Sequence, residues 1–248
     1  MADFEVTVLG VGDTFSERHF TSALLLECEG RRLAIDCPDR YRAVLRRASE
    51  LSGRKLSLSS IDHVLITHVH GDHMNGLEGV AFYKHFAEKK RLCLVTSAEA
   101  KAVIWDERLK ASMSALWNGR EFREMGFDSY FEHVTLPWDA ELSLGPFRLR
   151  ARRTLHHVPT SALLVEAGGR RLGYSSDTAF DPELIRFLEP ADLIIHETNL
   201  GPAHTPYSAL AALPEALRAR MRLIHYADSF DTESSVIRPL REGEVLLV

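Results

Sequence analysis

Cysteine is scarce in this chain and poorly placed for crosslinking. Cys28, Cys37 and Cys93 are widely spaced, odd in number and include no CxxC pair. That excludes a disulfide framework, offers no thiolate zinc site, and makes a reducing intracellular compartment the simplest setting. Long apolar runs are also missing, and no stretch approaches the length needed to cross a bilayer. The opening MADFEVTVLG carries Asp3 and Glu5 where a secretory leader would have a basic region and a long apolar run. The expected location is the cytoplasm, with no membrane partner. Nor is positive charge in excess: the net charge of −5, histidines neutral, gives no electrostatic case for nucleic acid. Arginine does outnumber lysine heavily, which leaves room for a local basic patch. No low-complexity linker or charge block divides the chain, so residues 1–248 are read as one domain.

Material for a core is plentiful, with 45% of the residues hydrophobic. Short β-type runs recur at 5–9, 22–28, 31–36, 63–67, 92–96, 147–154, 161–166, 171–175, 193–196 and 222–225, with 245–248 as a closing strand. The pairs 22–28/31–36 and 161–166/171–175 predict hairpins turned at Glu29-Gly30 and Gly168-Gly169-Arg170. Helical patterns lie at 41–51, 77–89, 98–117, 182–188 and 214–221. Strands come first, then strands alternate with helices, then the theme repeats, which predicts a layered α/β protein of two similar halves. The segment from about 97 to 130, rich in aromatics among charges, is expected either as a helical flap or as an amphipathic helix pair packed on the core.

The chemistry concentrates in Thr67-His68-Val69-His70-Gly71-Asp72-His73, which follows the apolar run Val64-Leu65-Ile66. In extended backbone His68 and His70 project to the same side. A sharp turn at Gly71 can bring Asp72 and His73 back to the same point. Imidazole and carboxylate without thiolate suit zinc, manganese or iron. Four later β-type runs also end in a histidine or an acid: Leu155 into His156-His157, Tyr174-Ser175-Ser176 into Asp177, Ile194-Ile195 into His196, and Leu223-Ile224 into His225. Ligands in α/β folds gather at the carboxyl ends of strands. These residues are too many for one tetrahedral site, so two divalent ions, zinc foremost, are the natural count. His19, His63, His85 and His133 lack such a context and are read as ordinary.

With these motifs the sequence resembles the metallo-β-lactamase superfamily over nearly its whole length. Val8-Leu9-Gly10-Val11-Gly12-Asp13 resembles the opening strand and turn, Leu33-Ala34-Ile35-Asp36 the second hairpin with its aspartate, His68-Val69-His70-Gly71-Asp72-His73 the HxHxDH signature, and Tyr174-Ser175-Ser176-Asp177-Thr178 the later "GDT" segment. The resemblance implies an αββα four-layer sandwich with a two-metal site at its edge. By the same resemblance His68, His70 and a histidine of the 156–157 pair hold the first metal, Asp72, His73 and His225 the second, and Asp177 bridges them. His156, three residues before Pro159, is preferred to His157. An aspartate at 177, where some β-lactamases carry cysteine, points away from antibiotic hydrolysis.

Ile195-His196-Glu197-Thr198 and Ala203-His204-Thr205 resemble the "HEAT" and "GHST" segments of the RNase Z-like branch. They imply His204 as general acid and Glu197 as its orienting partner, with His196 outside the metal shell. Two features depart from the branch. Cys37-Pro38 replaces the usual glycine after the aspartate, and the short interval between His156 and Asp177 has no room for a tRNA-binding arm. The function expected is therefore hydrolysis of a small phosphodiester, such as a cyclic or short nucleotide, by a metal-activated water that Asp72 and Asp177 help to orient. Hydrolysis of a carboxylic ester, lactone or thioester, RNA processing, and a non-catalytic di-metal redox sensor are the alternatives. The resemblance also allows a homodimer.

Overall fold

The computed structural model describes residues 2–248. Its strands, in chain order, are β1 (Glu5–Gly10), β2 (Ala23–Cys28), β3 (Arg31–Ile35), β4 (His63–Leu65), β5 (Leu92–Thr96), β6 (Ala115–Trp117), β7 (Phe122–Glu124), β8 (Phe131–Thr135), β9 (Glu141–Leu144), β10 (Phe147–Arg153), β11 (Ser161–Ala167), β12 (Arg170–Tyr174), β13 (Leu193–Glu197), β14 (Met221–Ile224) and β15 (Val245–Leu247). Seven form one sheet, ordered β15-β1-β2-β3-β4-β5-β8, and six form another, ordered β14-β13-β12-β11-β10-β9. The first sheet is antiparallel across β15-β1-β2-β3 and the second across β9-β10-β11-β12, and each turns parallel where helices intervene between strands: β3-β4-β5-β8 in the first and β12-β13-β14 in the second. This repeated plan is the two similar halves, each with its helices outside, and the whole is the αββα sandwich.

Period-two patterning assembles the layers. On β2, Leu24 and Leu26 face the second sheet while Ala23 and Leu25 face the helices of the first half. Phe147, Leu149 and Ala151 of β10 enter the same inter-sheet core, and the intervening Arg148 and Arg150 are exposed. The outer layers are pinned by residues such as Val44 and Leu45 of the helix Tyr41–Ser52, and Leu184 and Leu188 of the helix Pro182–Leu188. Both expected hairpins form, β2–β3 and β11–β12. Gly168 and Gly169 take positive φ in the second turn, as its tightness requires.

Four strands lie outside the expected runs: β6, β7, β8 and β9. The helix expected over 98–117 ends at Met113 and gives way to the β6–β7 hairpin. Asn118-Gly119 turns that hairpin, with Gly119 at φ 99° and the Asn118 side chain accepting from Arg120 and Glu121 N–H. Asn-Gly between two short runs is a strong hairpin signal, which the helical periodicity of the flanking residues overrode. The 97–130 segment is thus not a helical flap throughout. Ile104 and Met113 are fully buried in the core, whereas Trp117 and Phe122, at 59% and 74% exposure, stack on each other outside it. The pattern at 214–221 also shrinks, to a helix over Glu215–Arg218, because Met221 opens β14. Among the described residues, no helix is long and apolar enough to cross a membrane.

Candidate metal centre

The parallel strands of both halves end at one edge of the sandwich. Here β4 runs into the 66–76 loop, β12 into Asp177 and β14 into His225, and β10 leads to His156. Three non-glycine residues beside these ends, Asp36, Ser176 and His225, have φ of 65°, 50° and 60°. Left-handed backbone at such residues is costly and tends to persist at functional sites. Gly71 serves differently from the expected sharp turn. It opens the short helix Gly71–Met74 without positive φ, and a Cβ there would lie 2.6 Å from the Asn75 amide nitrogen, so any larger residue would have to displace the Asn75 side chain.

His68 Nε2 and His156 Nε2 each stand 3.1 Å from His70 Nδ1. Asp177 Oδ2 is 3.8, 3.7 and 3.3 Å from the Nε2 atoms of His68, His156 and His225, while its Oδ1 is 3.5 Å from His73 Nε2. Asp72 Oδ2 is also 3.5 Å from that nitrogen. The donor atoms fall into overlapping groups: His68, His70, His156 and Asp177; Asp72, His73 and His225; Asp177, His204 and His225. His157 and His196 join none of them, nor do His19, His63, His85 and His133. Of the adjacent pair, it is therefore His156 that reaches the cluster.

Four of the five rings are held from behind. His73 Nδ1 donates to Asp36 Oδ2 at 2.8 Å, His156 Nδ1 to the Ala203 carbonyl at 3.1 Å, and His225 Nδ1 lies 3.2 Å from Ser22 Oγ. Thr67 Oγ1 donates to Asp36, so it accepts from His68 Nδ1 at 3.1 Å. The Nε2 atoms of His68 and His156 thus present lone pairs to His70 Nδ1. That atom has at most one proton and cannot satisfy both. At least one Nε2 is therefore left without a donor at 3.1 Å from His70 Nδ1, and a shared cation would satisfy all three nitrogens. His73 Nε2 and Asp177 Oδ1 are likewise buried with no hydrogen-bond partner. Ligand nitrogens about 2.0–2.1 Å from a tetrahedral ion sit roughly 3.3 Å from each other, close to the spacing here. The residues fit divalent metal ions.

Electrostatics agree at four of the five imidazoles; burial opposes charge on the fifth, His73, but Asp177, Asp36 and Asp72 around it raise its pKa well above the ordinary value. Burial holds His68 well below its ordinary pKa and His156 down at about 4, and it lowers His70 and His225 too, keeping these imidazoles neutral. Burial alone would raise Asp177, but His225 and His73 hold it well below the usual carboxylate range. The anionic form is the one that binds metal. Asp36, Thr67 and Ser22 are the functional residues that sequence reasoning left without a role. Asp36 directly follows β3 as the assigned residues follow their strands, and the family resemblance marks it without giving it a role.

Glu197, fully buried at the end of β13, accepts from His204 Nδ1 at 3.0 Å and from the Thr178 and Thr205 N–H groups. Burial pushes its carboxyl up to about 8. Burial opposes charge on His204, yet the hydrogen bond and charge of Glu197, with Asp177 and Asp72 beyond, raise its pKa. The His204 ring stacks on His225, centroids 5.5 Å apart. His196 turns away and donates from Nδ1 to the Glu197 carbonyl at 2.7 Å. Over the cluster opens a cleft of about 640 Å³, reached by His70, Asp72, His156, Asp177, His204 and His225.

A family model described as "Anti-Pycsar protein Apyc1" matches residues 4–243. The chain belongs to that family. A member from Saccharibacillus brassicae is 29% identical over 90% of this chain and 89% of its own length. A "cAMP/cGMP-dependent 3',5'-cAMP/cGMP phosphodiesterase B" from Dictyostelium discoideum is 24% identical over 96% of this chain, which spans only 22% of that longer protein. Among solved structures, the metallo-β-lactamase fold protein YhfI from Bacillus subtilis superposes with a TM-score of 0.76, covering 99% of this chain and all of its own, at 19% identity. The Apyc1 family member described here has the metallo-β-lactamase fold.

Proposed function

We propose that the chain is a two-metal phosphodiesterase that opens or cleaves a small nucleotide phosphodiester, a 3′,5′-cyclic nucleotide foremost. His68, His70 and His156 would hold one ion, Asp72, His73 and His225 the other, and Asp177 would bridge them. Bound there, divalent ions supply Lewis acidity and a water acidic enough to be a nucleophile near neutral pH. The chain's own groups do the rest. Asp72 and Asp177 orient the nucleophile. His204 gives its proton to the departing oxygen, and Glu197 fixes the His204 tautomer by accepting from Nδ1, leaving Nε2 toward the cleft.

The observation that carries this reading is the His204–Glu197 pair at 3.0 Å, set against the side of the donor cluster. A cyclic phosphodiester expels a poorly stabilised alkoxide and needs such an acid, whereas an activated ester or lactone needs it less. The Dictyostelium relative, named as a cyclic nucleotide phosphodiesterase, supports the same substrate class. RNA finds less support: of the four arginines on β10, three, Arg148, Arg152 and Arg153, pair with Glu166, Asp181 and Glu99. The test is His204→Ala on metal-loaded protein. Turnover of a cyclic nucleotide should fall by about 10²–10⁴, and that of a p-nitrophenyl phosphodiester, whose leaving group needs no acid, much less. Equal losses on both substrates would contradict the acid role, and a dispensable His204 would favour the ester or lactone class.

A further inference from the structure

Two bare apolar side chains stand at the mouth of the metal cleft. Scattered exposed hydrophobics are ordinary on protein surfaces, and nine large ones occur among the described residues. Of these, only Phe15 and Leu200 line the cleft. They are 85% and 75% exposed, and they come from opposite halves of the sandwich, Phe15 from the β1–β2 loop and Leu200 from the loop after β13.

These lips are tied together. Asp13, almost completely buried, uses both carboxylate oxygens: Oδ1 accepts the Phe15 N–H at 2.9 Å, and Oδ2 accepts the Asn199 side-chain amide at 2.9 Å. The other end of that amide, Asn199 Oδ1, accepts the Leu200 N–H at 2.8 Å. One continuous chain of hydrogen bonds therefore sets the backbone under Phe15 relative to that under Leu200. The β1–β2 loop is anchored on its far side as well, where Asp228 accepts from the Ser16 hydroxyl at 2.5 Å and the Glu17 N–H at 2.9 Å. A pinned backbone that still leaves a phenyl ring in water offers a preformed apolar face at little ordering cost.

We infer that Phe15 and Leu200 form a clamp for the nucleobase of the substrate, with Asp13 and Asn199 as positioning residues that fix its opening. This rests on the phosphodiesterase reading, since the clamp acts on the part of the molecule remote from the scissile phosphate. A base has a flat face for an aromatic ring and an edge for an aliphatic one, and every base has such a face, so the clamp favours nucleotides over base-free phosphodiesters without reading one base.

The experiment compares cAMP with ribose 3′,5′-cyclic phosphate, which lacks the base, on metal-loaded wild type, Phe15→Ala, Phe15→Tyr, Asn199→Leu and the Phe15→Ala/Asn199→Leu double variant. The preference of wild type for cAMP should fall about tenfold in Phe15→Ala, through KM rather than kcat. Phe15→Tyr should keep it. Asn199→Leu should lower it too, and the double variant should lose no more than Phe15→Ala alone, because both act on one clamp. If wild type turns over both substrates and Phe15→Ala leaves their ratio unchanged, the clamp is wrong while the phosphodiesterase reading stands. If wild type turns over neither, both fall.

Discussion

In the first half of the sandwich the donors arrive together, His68 to His73 on one loop after β4, whereas in the second half His156, Asp177 and His225 come singly from the ends of three strands. The supports differ accordingly. The first loop rests on buried Asp36, which accepts from the Thr67 N–H and hydroxyl and from His73 Nδ1, and on Arg108, which donates to the Val69 carbonyl and the Asn75 side chain. The second half has no such carboxylate clamp: His156 is fixed by a main-chain carbonyl, and His225 is backed only by the Ser22 hydroxyl. A local motif needs one strong clamp, while a dispersed set needs the sheet to keep its strand ends in register. Asp177 belongs to both arrangements, since it alone touches His68, His73, His156 and His225.

The largest effect should therefore follow from breaking that joint. Asp177→Ala should lower turnover by roughly a thousandfold or more at saturating metal and cut the bound metal measured by elemental analysis, whereas near-normal turnover would dissolve the link between the halves. Next comes the contrast in supports. Asp36→Asn should cost about 10–100-fold in metal affinity or activity, and Ser22→Ala clearly less, because a neutral hydrogen bond is roughly half as strong as a charge-assisted one. Equal losses would remove the distinction.

A third test concerns folding. Burial lowers His196 to about 4 from its ordinary 6.5, so between those values the unfolded chain binds a proton that the folded one refuses. Its contribution is whole above pH 6.5 and drains away as the pH falls toward 4, by about 3 kcal/mol at the limit. His196→Gln should flatten the dependence of Tm on pH across that window, and an unchanged slope would contradict the neutral buried ring. The smallest effect is expected at the β6–β7 hairpin. Trp117→Ser with Phe122→Ser should shift stability by no more than about 0.5 kcal/mol for each substitution, and a larger loss would mean that this hairpin packs in solution.

The same contrast explains what the sequence made legible. His68, His70, Asp72 and His73 stand out because they are contiguous and follow an apolar run. His156, Asp177 and His225 are readable by the rule that strand ends carry ligands, once the strands are recognised. Ser22 and the Ala203 carbonyl carry no local signal, since their role exists only after loops distant in sequence meet. The β6–β7 hairpin was hidden for the opposite reason: a local Asn-Gly signal sat inside a stretch whose apolar spacing imitates a helix.

The most direct test of the central claim is the hydrolysis of cAMP and cGMP by protein of measured metal content, with Asp177→Ala in parallel. The account predicts two divalent ions per chain and conversion to linear nucleotide monophosphates that the substitution abolishes. Two bound ions with no cyclic nucleotide turnover, and hydrolysis of a lactone or thioester instead, would contradict it.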